Sequence, residues 1–457
     1  MTIWSTITKK FRAPPLPKPT LEYDSTYLDN LVNILRLYFN QLDNLLGQIV
    51  ATTGSAVPVS IGGTNVDAFG RVRVSQPYTL FDSQSRYEAD PQFDTTTTGT
   101  GSATYASNEA AVNMAVTAGG VGSVIKQTYR VFPYQPGKGL LVLATFVMDG
   151  GTNSGLTQRA GYYNTQNGVF FQKVGNVYSF VLRSNSIPTP GTPSDIRTVN
   201  QDDWNGDKLD GTGDSGYILD LSKAQILWMD FEWLGVGSVR CGFIIDGQYI
   251  VCHTFNNAND VTTVYMSTAT LPVRYEIVSS SAVAGTLKQI CSSVVSEGGY
   301  EQYSFGHIAR RTTVLGTIGS TFLPLVSIRL KSTRLGAVVL PQRVQVLPTT
   351  SQNYEVALVK NPTLTGASWV ATTSNNVEMD VTATAVTGGT IVQTDYVTSS
   401  GSGGTTPLAD PAGYNWDLQL GSSLASVSDI YTIQIRTVSG ATTGDAVGSL
   451  TFWDLTG

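Results

Sequence analysis

Most of the chain alternates apolar and polar side chains with a period of two, the pattern typical of β-strands. The clearest example is 225–255, where three alternating runs are separated by short glycine-containing loops. The second of these loops is Asp246-Gly247, a dipeptide typical of a two-residue type I′ hairpin. Because no helical pattern separates these runs, the sequence predicts antiparallel sheets packed face to face.

A turn-rich segment divides this β region. We expect a boundary near Leu347-Pro-Thr-Thr350, because a new series of short alternating runs follows it. The sequence therefore predicts a mainly β protein in which a large jelly-roll or lectin-like β-sandwich (67–346) precedes a smaller C-terminal β-sandwich (347–457). No long internal repeat is visible, which argues against a propeller or solenoid.

One segment, 24–50, has the period of a helix. Its apolar residues recur at alternating spacings of three and four, which is a coiled-coil heptad. They are Leu28, Leu31, Leu35, Tyr38, Leu42, Leu45 and Ile49. The helix can pack on the β domains of its own chain or on other copies. Since no second helical pattern exists to cover this face, we favour self-association, as a trimer.

Residues 1–23 precede the helix as a proline-rich arm, and small residues at 51–66 form a linker after it. Proline fixes its own φ angle and favours extended polyproline II structure. The arm is either a disordered tail or an extended anchor that docks on another protein, and we favour the anchor. Its proposed contact residues are Phe11, Pro14, Pro15, Leu16, Pro17 and Pro19.

Charge and composition exclude several classes of function. The formal net charge is −6, which lacks the basic footprint of a protein that binds duplex nucleic acid. Only two histidines and three cysteines occur, without a CxxC pair, which weakens most histidine- or cysteine-dependent mechanisms. Neither a signal peptide nor a membrane-spanning run is visible, so we expect a protein made in a cytosol.

An aspartate-rich loop at 202–214 is the candidate metal site. Asp207, Asp210 and Asp214 can each donate an oxygen to Ca²⁺. Their spacing does not fit the EF-hand loop, and turns capped by aspartate explain the same composition. We therefore expect no cofactor, with Ca²⁺ at this loop as the alternative.

The strands around the Asp246-Gly247 turn predict a polar row. A two-residue turn places Arg240 opposite His253, and the preceding loop places Glu232 opposite Arg240. With Asp230 on the same face, this row is either a ligand-binding or acid/base cluster or a cross-strand ion pair, and we favour the ion pair. On the opposite, core-forming face, the same register brings Cys241 beside Cys252 as two packed thiols.

No motif for catalysis is present. The chain lacks a P-loop and a GxSxG nucleophile elbow, and its many carboxylates define no specific pair. We therefore predict no catalytic residue. A glycan-binding role would instead require an exposed aromatic cluster, for which Tyr162, Tyr163, Tyr217 and Tyr414 are candidates.

Several segments resemble virion structural proteins of tailed bacteriophages, especially those of aquatic and cyanobacterial phages. The segments are DAFGRVRV (67–74), TLFDSQ (79–84), WNGDKLDGTG (204–213), WLGVG (233–237), LPVRYE (271–276) and the helix at 27–42. The resemblance implies a particle component, assembled in the host cytoplasm and used in the virion.

From the resemblance and the order of segments we expect a non-enzymatic, homo-oligomeric fibre or spike. Its N-terminal arm would bind other virion proteins, and its sandwiches would be displayed for attachment to a host-surface glycan. One alternative is a capsid, neck or tail decoration protein without a receptor role. Another is a tailspike that degrades polysaccharide.

Overall fold

The computed structural model describes residues 26–37, 39, 76–149, 151–301, 304, 306–398, 404–407, 416–438 and 443–456. The chain divides into two compact units, Met1–Val74 and Ser75–Gly457. In the first unit, residues 26–37 form the helix α1. The proline-rich arm, the linker at 51–66 and the heptad positions from Tyr38 to Ile49 lie outside the described residues.

The second unit is built from short strands. In chain order they are β1 Pro77–Gln84, β2 Phe93–Gly99, β3 Ser102–Ala106, β4 Ala111–Val116, β5 Gly122–Thr128, β6 Gly139–Met148, β7 Leu156–Tyr163, β8 Gly168–Val174, β9 Val177–Ser184, β10 Ser194–Asn200, β11 Gln225–Phe231, β12 Val239–Ile245, β13 Gln248–Phe255, β14 Val273–Ser279, β15 Gly285–Glu297, β16 Gly306–Ile318, β17 Leu323–Leu330, β18 Val339–Pro348, β19 Tyr354–Lys360, β20 Thr363–Thr365, β21 Val370–Ala371, β22 Val377–Asp380, β23 Ala385–Thr387, β24 Thr390–Val397, β25 Gly404–Pro407, β26 Ile430–Thr437 and β27 Gly444–Asp454. Two 3₁₀ turns, Gln201–Asp203 and Trp416–Leu418, complete the described elements.

The first sandwich consists of two antiparallel sheets. Sheet I has the order β13-β12-β11-β6-β15-β4-β3, with β1 also paired to β15, and sheet II has the order β10-β9-β8-β7-β14-β5-β2. Alternate side chains of both sheets point inward and form one core. Phe146 of sheet I stacks on Phe171 of sheet II with ring centroids 6.2 Å apart. The fold class predicted from the period of two is confirmed.

The second sandwich is smaller. Sheet III has the order β16-β27-β18-β25 and sheet IV the order β21-β22-β17-β26-β19-β24, with a separate core between them. The change from the first sandwich to the second falls between Glu297 and Gly306, not near Leu347 as expected. The turn after β18 is where the chain crosses from sheet III to sheet IV. A sheet-to-sheet crossing and a domain boundary have the same turn-rich sequence, which explains the difference.

Residues 416–424 join the two sandwiches. In this segment the Gln419 Nε2 donates to the backbone oxygen of Val131 over 2.9 Å. The amide of Ser422 donates to the backbone oxygen of Tyr129, also over 2.9 Å. These contacts dock an irregular segment of the second sandwich on a loop of the first, and clefts open on the surface along this junction.

Candidate functional site

A cleft of about 510 Å³ lies at the junction of the two sandwiches. We call it the aromatic cleft, because the rings of Tyr134, Trp233 and Tyr300 line it. Tyr134 and Trp233 belong to loops of the first sandwich, and Tyr300 lies in the segment that leads to the second. Each of these side chains is half-buried, so part of each ring faces the cleft.

Hydrogen bonds hold two of these rings in place. The Trp233 Nε1 donates to the backbone oxygen of Met266 over 3.2 Å, and the amide of Leu234 donates to the Tyr134 hydroxyl over 3.3 Å. The two rings meet edge to face with their centroids 5.8 Å apart. Burial raises the pKa of Tyr134, so its hydroxyl stays neutral and can also donate.

Polar groups form the rim of the aromatic cleft. The Gln135 Oε1 accepts from the Lys138 Nζ over 3.0 Å and from the amide of Glu301 over 2.9 Å. Thr268 and Thr270 line the same cleft. Apolar ring surface surrounded by a few oriented polar groups is the usual composition of a small-molecule site. A sugar presents that combination, an apolar C–H face and a rim of hydroxyls.

A second cleft of about 620 Å³ opens at the same junction. We call it the charged cleft, because carboxylates and cations line it together, among them Asp82, Arg86, Lys360 and Asp417. Tyr87 stands at its edge with 81% of its surface exposed, and the Arg86 guanidinium lies 5.0 Å from the centre of that ring.

Arg130 is the buried cation of the charged cleft. Its Nη1 donates to the backbone oxygen of Trp416 over 2.7 Å, and its Nη2 donates to the Gln92 Oε1. Asp417 lies 3.8 Å from the same Nη2. Burial lowers the pKa of Arg130 while Asp417 opposes that shift, and the guanidinium is held by these partners.

The polar row expected from the meander is not formed. Asp230, rather than Glu232, lies opposite Arg240, and the Arg240 Nε donates to the Asp230 Oδ2 over 2.9 Å. The pairing of β11 with β12 is therefore shifted by two residues from the register that would place Glu232 opposite Arg240. The favoured interpretation, a cross-strand ion pair, is confirmed, but Arg240 pairs with Asp230 instead of Glu232.

A bulge separates His253 from Arg240. The hairpin turn is as predicted, since Asp246 and Gly247 both have positive φ, 51° and 76°. The register then shifts between Cys241 and Gly242, so that Cys241 faces His253. One extra residue in one strand moves every later pair, and a sequence pattern does not reveal such a bulge.

His253 has a structural environment of its own. Its Nδ1 accepts a hydrogen bond from the amide of Asn205 over 3.3 Å, and its ring packs against Phe255. Burial first, and then the charge of Arg197, lower the pKa of His253 to about 4. The histidine is therefore neutral near pH 7 and serves as an acceptor that ties the aspartate-rich loop to β13.

The aspartate-rich loop uses its carboxylates for turns. Asp207 accepts the amides of Leu209 and Ser215, each over 2.8 Å, and Asp210 caps the next turn. These hydrogen bonds lower the pKa of Asp207 against the opposing effect of burial. Across the part of the chain that the structure describes, no group of three His, Cys, Asp or Glu side chains is arranged to hold a metal, at Asp214 or elsewhere.

The aromatic candidates from the sequence are not an exposed cluster. Tyr162 and Tyr163 are fully buried. Tyr217 donates to the Asp246 Oδ2 over 2.7 Å, away from both clefts, and Tyr414 lies outside the described residues. Adjacent tyrosines in a strand alternate between its faces, and here sheet II buries both, Tyr162 in the core and Tyr163 under arginine side chains.

Sequence reasoning missed the rings that do line a cleft. Tyr134, Trp233 and Tyr300 come from three separate segments, so no spacing pattern connects them. The one local signal is that Tyr134 lies between Pro133 and Pro136, which marks an exposed loop.

The cysteines are free thiols. Cys241 and Cys252 are buried in the first core, and Cys291 is half-buried. The expected pairing of Cys241 with Cys252 is not formed, because the bulge places Cys241 opposite His253. Burial raises the pKa of Cys252 to about 12. These thiols are therefore part of the core rather than of a reactive site.

No family model and no curated protein matches the chain. A solved structure of a protein of unknown function from Shewanella oneidensis MR-1 matches with a TM-score of 0.33 and 9% identity, covering 51% of this chain and 92% of that one. The carbohydrate recognition domain of Emp47p gives a TM-score of 0.32 and 8% identity over 51% of this chain and 99% of its own. A structure of peanut lectin matches with a TM-score of 0.29 and 10% identity, covering 49% of this chain and 98% of the lectin.

Among the described residues, no helix is long and apolar enough to cross a membrane.

Proposed function

We propose that the chain is a non-enzymatic, homo-oligomeric attachment protein of a tailed-phage virion, a fibre or spike that binds a host-surface glycan. The observation that carries the glycan-binding part is the aromatic cleft. Its three half-buried rings offer apolar faces for the C–H side of a sugar, and its rim offers amide, hydroxyl and ammonium groups for the sugar hydroxyls.

The virion part rests on the sequence. The segments at 67–84 and 204–213 resemble phage structural proteins. The order of the segments also fits a fibre or spike: the arm would anchor the chain, the heptad helix would join copies, and the two sandwiches would be displayed. On α1, the side chains of Leu28 and Leu35 are 40% and 39% exposed, which leaves apolar surface for other copies. Oligomerisation would multiply weak sugar contacts through avidity.

A polysaccharide-degrading enzyme is the second candidate, and one pair of acids favours it. Asp230 and Glu297 lie on the same face of sheet I, and burial together with the charge of Asp230 raises the pKa of Glu297. A glycoside hydrolase needs such a pair across an open cleft. Here Arg240 binds Asp230, which supports a structural role for the pair.

Glycan binding is tested on an array of hexose and N-acetylhexosamine oligosaccharides, from single sugars to hexasaccharides. We expect the full chain to bind members of the array and the Trp233→Ala variant to bind them at least about tenfold more weakly, the loss of one good contact. Tyr396→Ala is the matched control, because Tyr396 is 66% exposed on the second sandwich outside both clefts. Binding that Trp233→Ala leaves intact, or no binding at all, would refute the assignment.

The same preparations separate attachment from catalysis. Incubating the full chain with host envelope polysaccharide should release no new reducing ends. If the full chain releases new reducing ends and the Asp230→Asn variant releases none, the protein is a hydrolase. Immunogold labelling of intact phage particles tests the virion assignment directly, and the absence of label from the particle contradicts it.

A further inference from the structure

We infer that the glycan is a linear, uncharged oligosaccharide chain that occupies the aromatic cleft and the charged cleft together. This inference rests on the proposed glycan-binding function of the aromatic cleft and names the class of its ligand. It is carried by the ring contacts that place the two clefts on either side of one aromatic cluster at the sandwich junction.

A small cleft of about 200 Å³ extends the charged cleft. It shares Asp82, Gln92, Arg130 and Asp417 with the charged cleft, so these two spaces border on the same side chains. Its remaining wall includes Trp416. The junction surface thus continues from the charged cleft as far as the indole ring.

A cluster of aromatic rings lies between this small cleft and the aromatic cleft. The ring of Trp416 meets the ring of Tyr300 edge to face, with centroids 5.0 Å apart. The Trp416 Nε1 donates to the Tyr78 hydroxyl over 3.0 Å, and the ring of Tyr78 lies 6.2 Å from that of Tyr300. Since Tyr300 itself lines the aromatic cleft, one cluster of three rings separates the two clefts.

The arrangement suits a chain rather than a single sugar. Aromatic surface recurs at Trp233, at Tyr300 and, in the charged cleft, at the exposed ring of Tyr87. Successive sugar units each present a C–H face that can lie on such a ring. A monosaccharide would use only one of these surfaces.

The charges of the second cleft indicate an uncharged chain. Carboxylates such as Asp82 and Asp417 line the cleft beside Arg86 and Lys360, and Lys360 is itself bound to Asp429 at 3.1 Å. A strongly acidic polymer would meet repulsion from the carboxylates, and a basic one would meet the cations. Carboxylate and guanidinium groups both form paired hydrogen bonds with adjacent hydroxyls, which an uncharged sugar supplies.

Chain-length dependence tests the inference. Using a disaccharide and a hexasaccharide of the same neutral repeating unit that binds on the array, we expect the hexasaccharide to bind at least about tenfold more tightly. Tyr87→Ala should abolish that gain and leave disaccharide binding unchanged. Trp233→Ala should weaken both ligands equally. Tyr396→Ala, matched in residue type and exposure, should change neither.

The outcomes distinguish the inference from the proposed function. Equal affinity for the two ligands, or a Tyr87→Ala variant that keeps the full gain, overturns the chain inference while glycan binding stands. Carboxylated and sulfated forms of the same hexasaccharide are tested beside the neutral one, and binding that requires either charged group overturns the uncharged class. Failure of every oligosaccharide to bind overturns the proposed function as well. Arg86→Ala, with the exposed Arg310→Ala as its control, repeats the test with a second residue of the charged cleft.

Discussion

Arg130 in the first sandwich donates a hydrogen bond over 2.7 Å to the backbone oxygen of Trp416 in the second. Only 7% of Arg130 is exposed, and its guanidinium lies 5.7 Å and 5.9 Å from the ring centres of Phe81 and Phe132. A buried cation is stable only when its donors are satisfied. The position of the segment that starts at Trp416 is therefore coupled to the core of the first sandwich.

Arg130→Ala should lower the free energy of unfolding by about 3 kcal/mol, because it removes the bridge to Trp416 together with the packing of the guanidinium on Phe81 and Phe132. Chemical denaturation measures the change. Arg310→Ala, at an exposed position on β16, should alter stability by less than about 0.5 kcal/mol. Equal stability of the two variants would show that the sandwiches are held together by other contacts.

His253 should make stability depend on pH. Its pKa is about 4 in the folded protein and 6.5 in an unperturbed chain. Between these values the unfolded chain binds a proton that the folded chain does not, so stability should fall as the pH is lowered through that window. His253→Gln retains an acceptor for Asn205 without a titrating ring. The melting temperatures of the native protein and of His253→Gln, measured from above pH 6.5 down to about pH 4, should therefore converge as the pH is lowered. Melting temperatures that differ by the same amount at every pH would contradict the prediction.

Gln289 marks a place where the core can be improved. Its side chain is fully buried in sheet I, and neither amide atom has a hydrogen-bond partner among the described residues. Gln289→Leu should therefore raise the free energy of unfolding by about 1 kcal/mol. Gln158→Leu is the control, because the Gln158 Oε1 accepts the amide of Asp149 over 3.1 Å and its loss should destabilise. A loss of stability in both variants would mean that Gln289 has a bound partner.

The thiols should report unfolding. Cys241 is fully buried with a pKa raised well above its ordinary value, and the pKa of Cys252 is about 12. A thiol reagent that attacks thiolates should leave both untouched in the native protein and modify both in denaturant. Cys291, which is half-buried, should react first. Rapid native modification of Cys252 would show that β13 opens readily.

Local patterns predicted the elements but not their register. The period of two identified the strands around Asp246, and the turn dipeptide identified their hairpin, because both depend on neighbouring residues alone. The partners of Arg240 depended on a bulge after Cys241 and on the true length of the preceding loop. Neither leaves a mark in the sequence, so the expected row of Glu232, Arg240 and His253 was wrong.

Long-range features were even less accessible. The boundary expected near Leu347 is a crossing between sheets, because β16 and β18 already pair with β27 and β17 pairs with β26, so the second sandwich begins earlier. The aromatic cleft depends on Tyr134, Trp233 and Tyr300 meeting across more than a hundred positions of sequence. Such a site follows from topology, which composition and spacing do not determine.

Self-association through α1 is the remaining prediction. Leu28 and Leu35 are seven residues apart, at the same position of consecutive heptads, and both are exposed in the single chain. Replacing both with aspartate, Leu28→Asp and Leu35→Asp, would place like charges in the helix interface. Light scattering should then show an oligomer for the full chain and a monomer for the variant.

The sandwiches should be unaffected by these substitutions, so their melting temperature should not change. Glycan binding on a dense array should nevertheless weaken, because each monomer presents one cleft instead of several. Asn33→Asp adds a charge to an exposed position of the same helix outside the heptad and should leave the mass unchanged. If the full chain is monomeric at micromolar concentration, the protein does not self-associate. If the double variant keeps the oligomeric mass of the full chain, the interface lies outside α1.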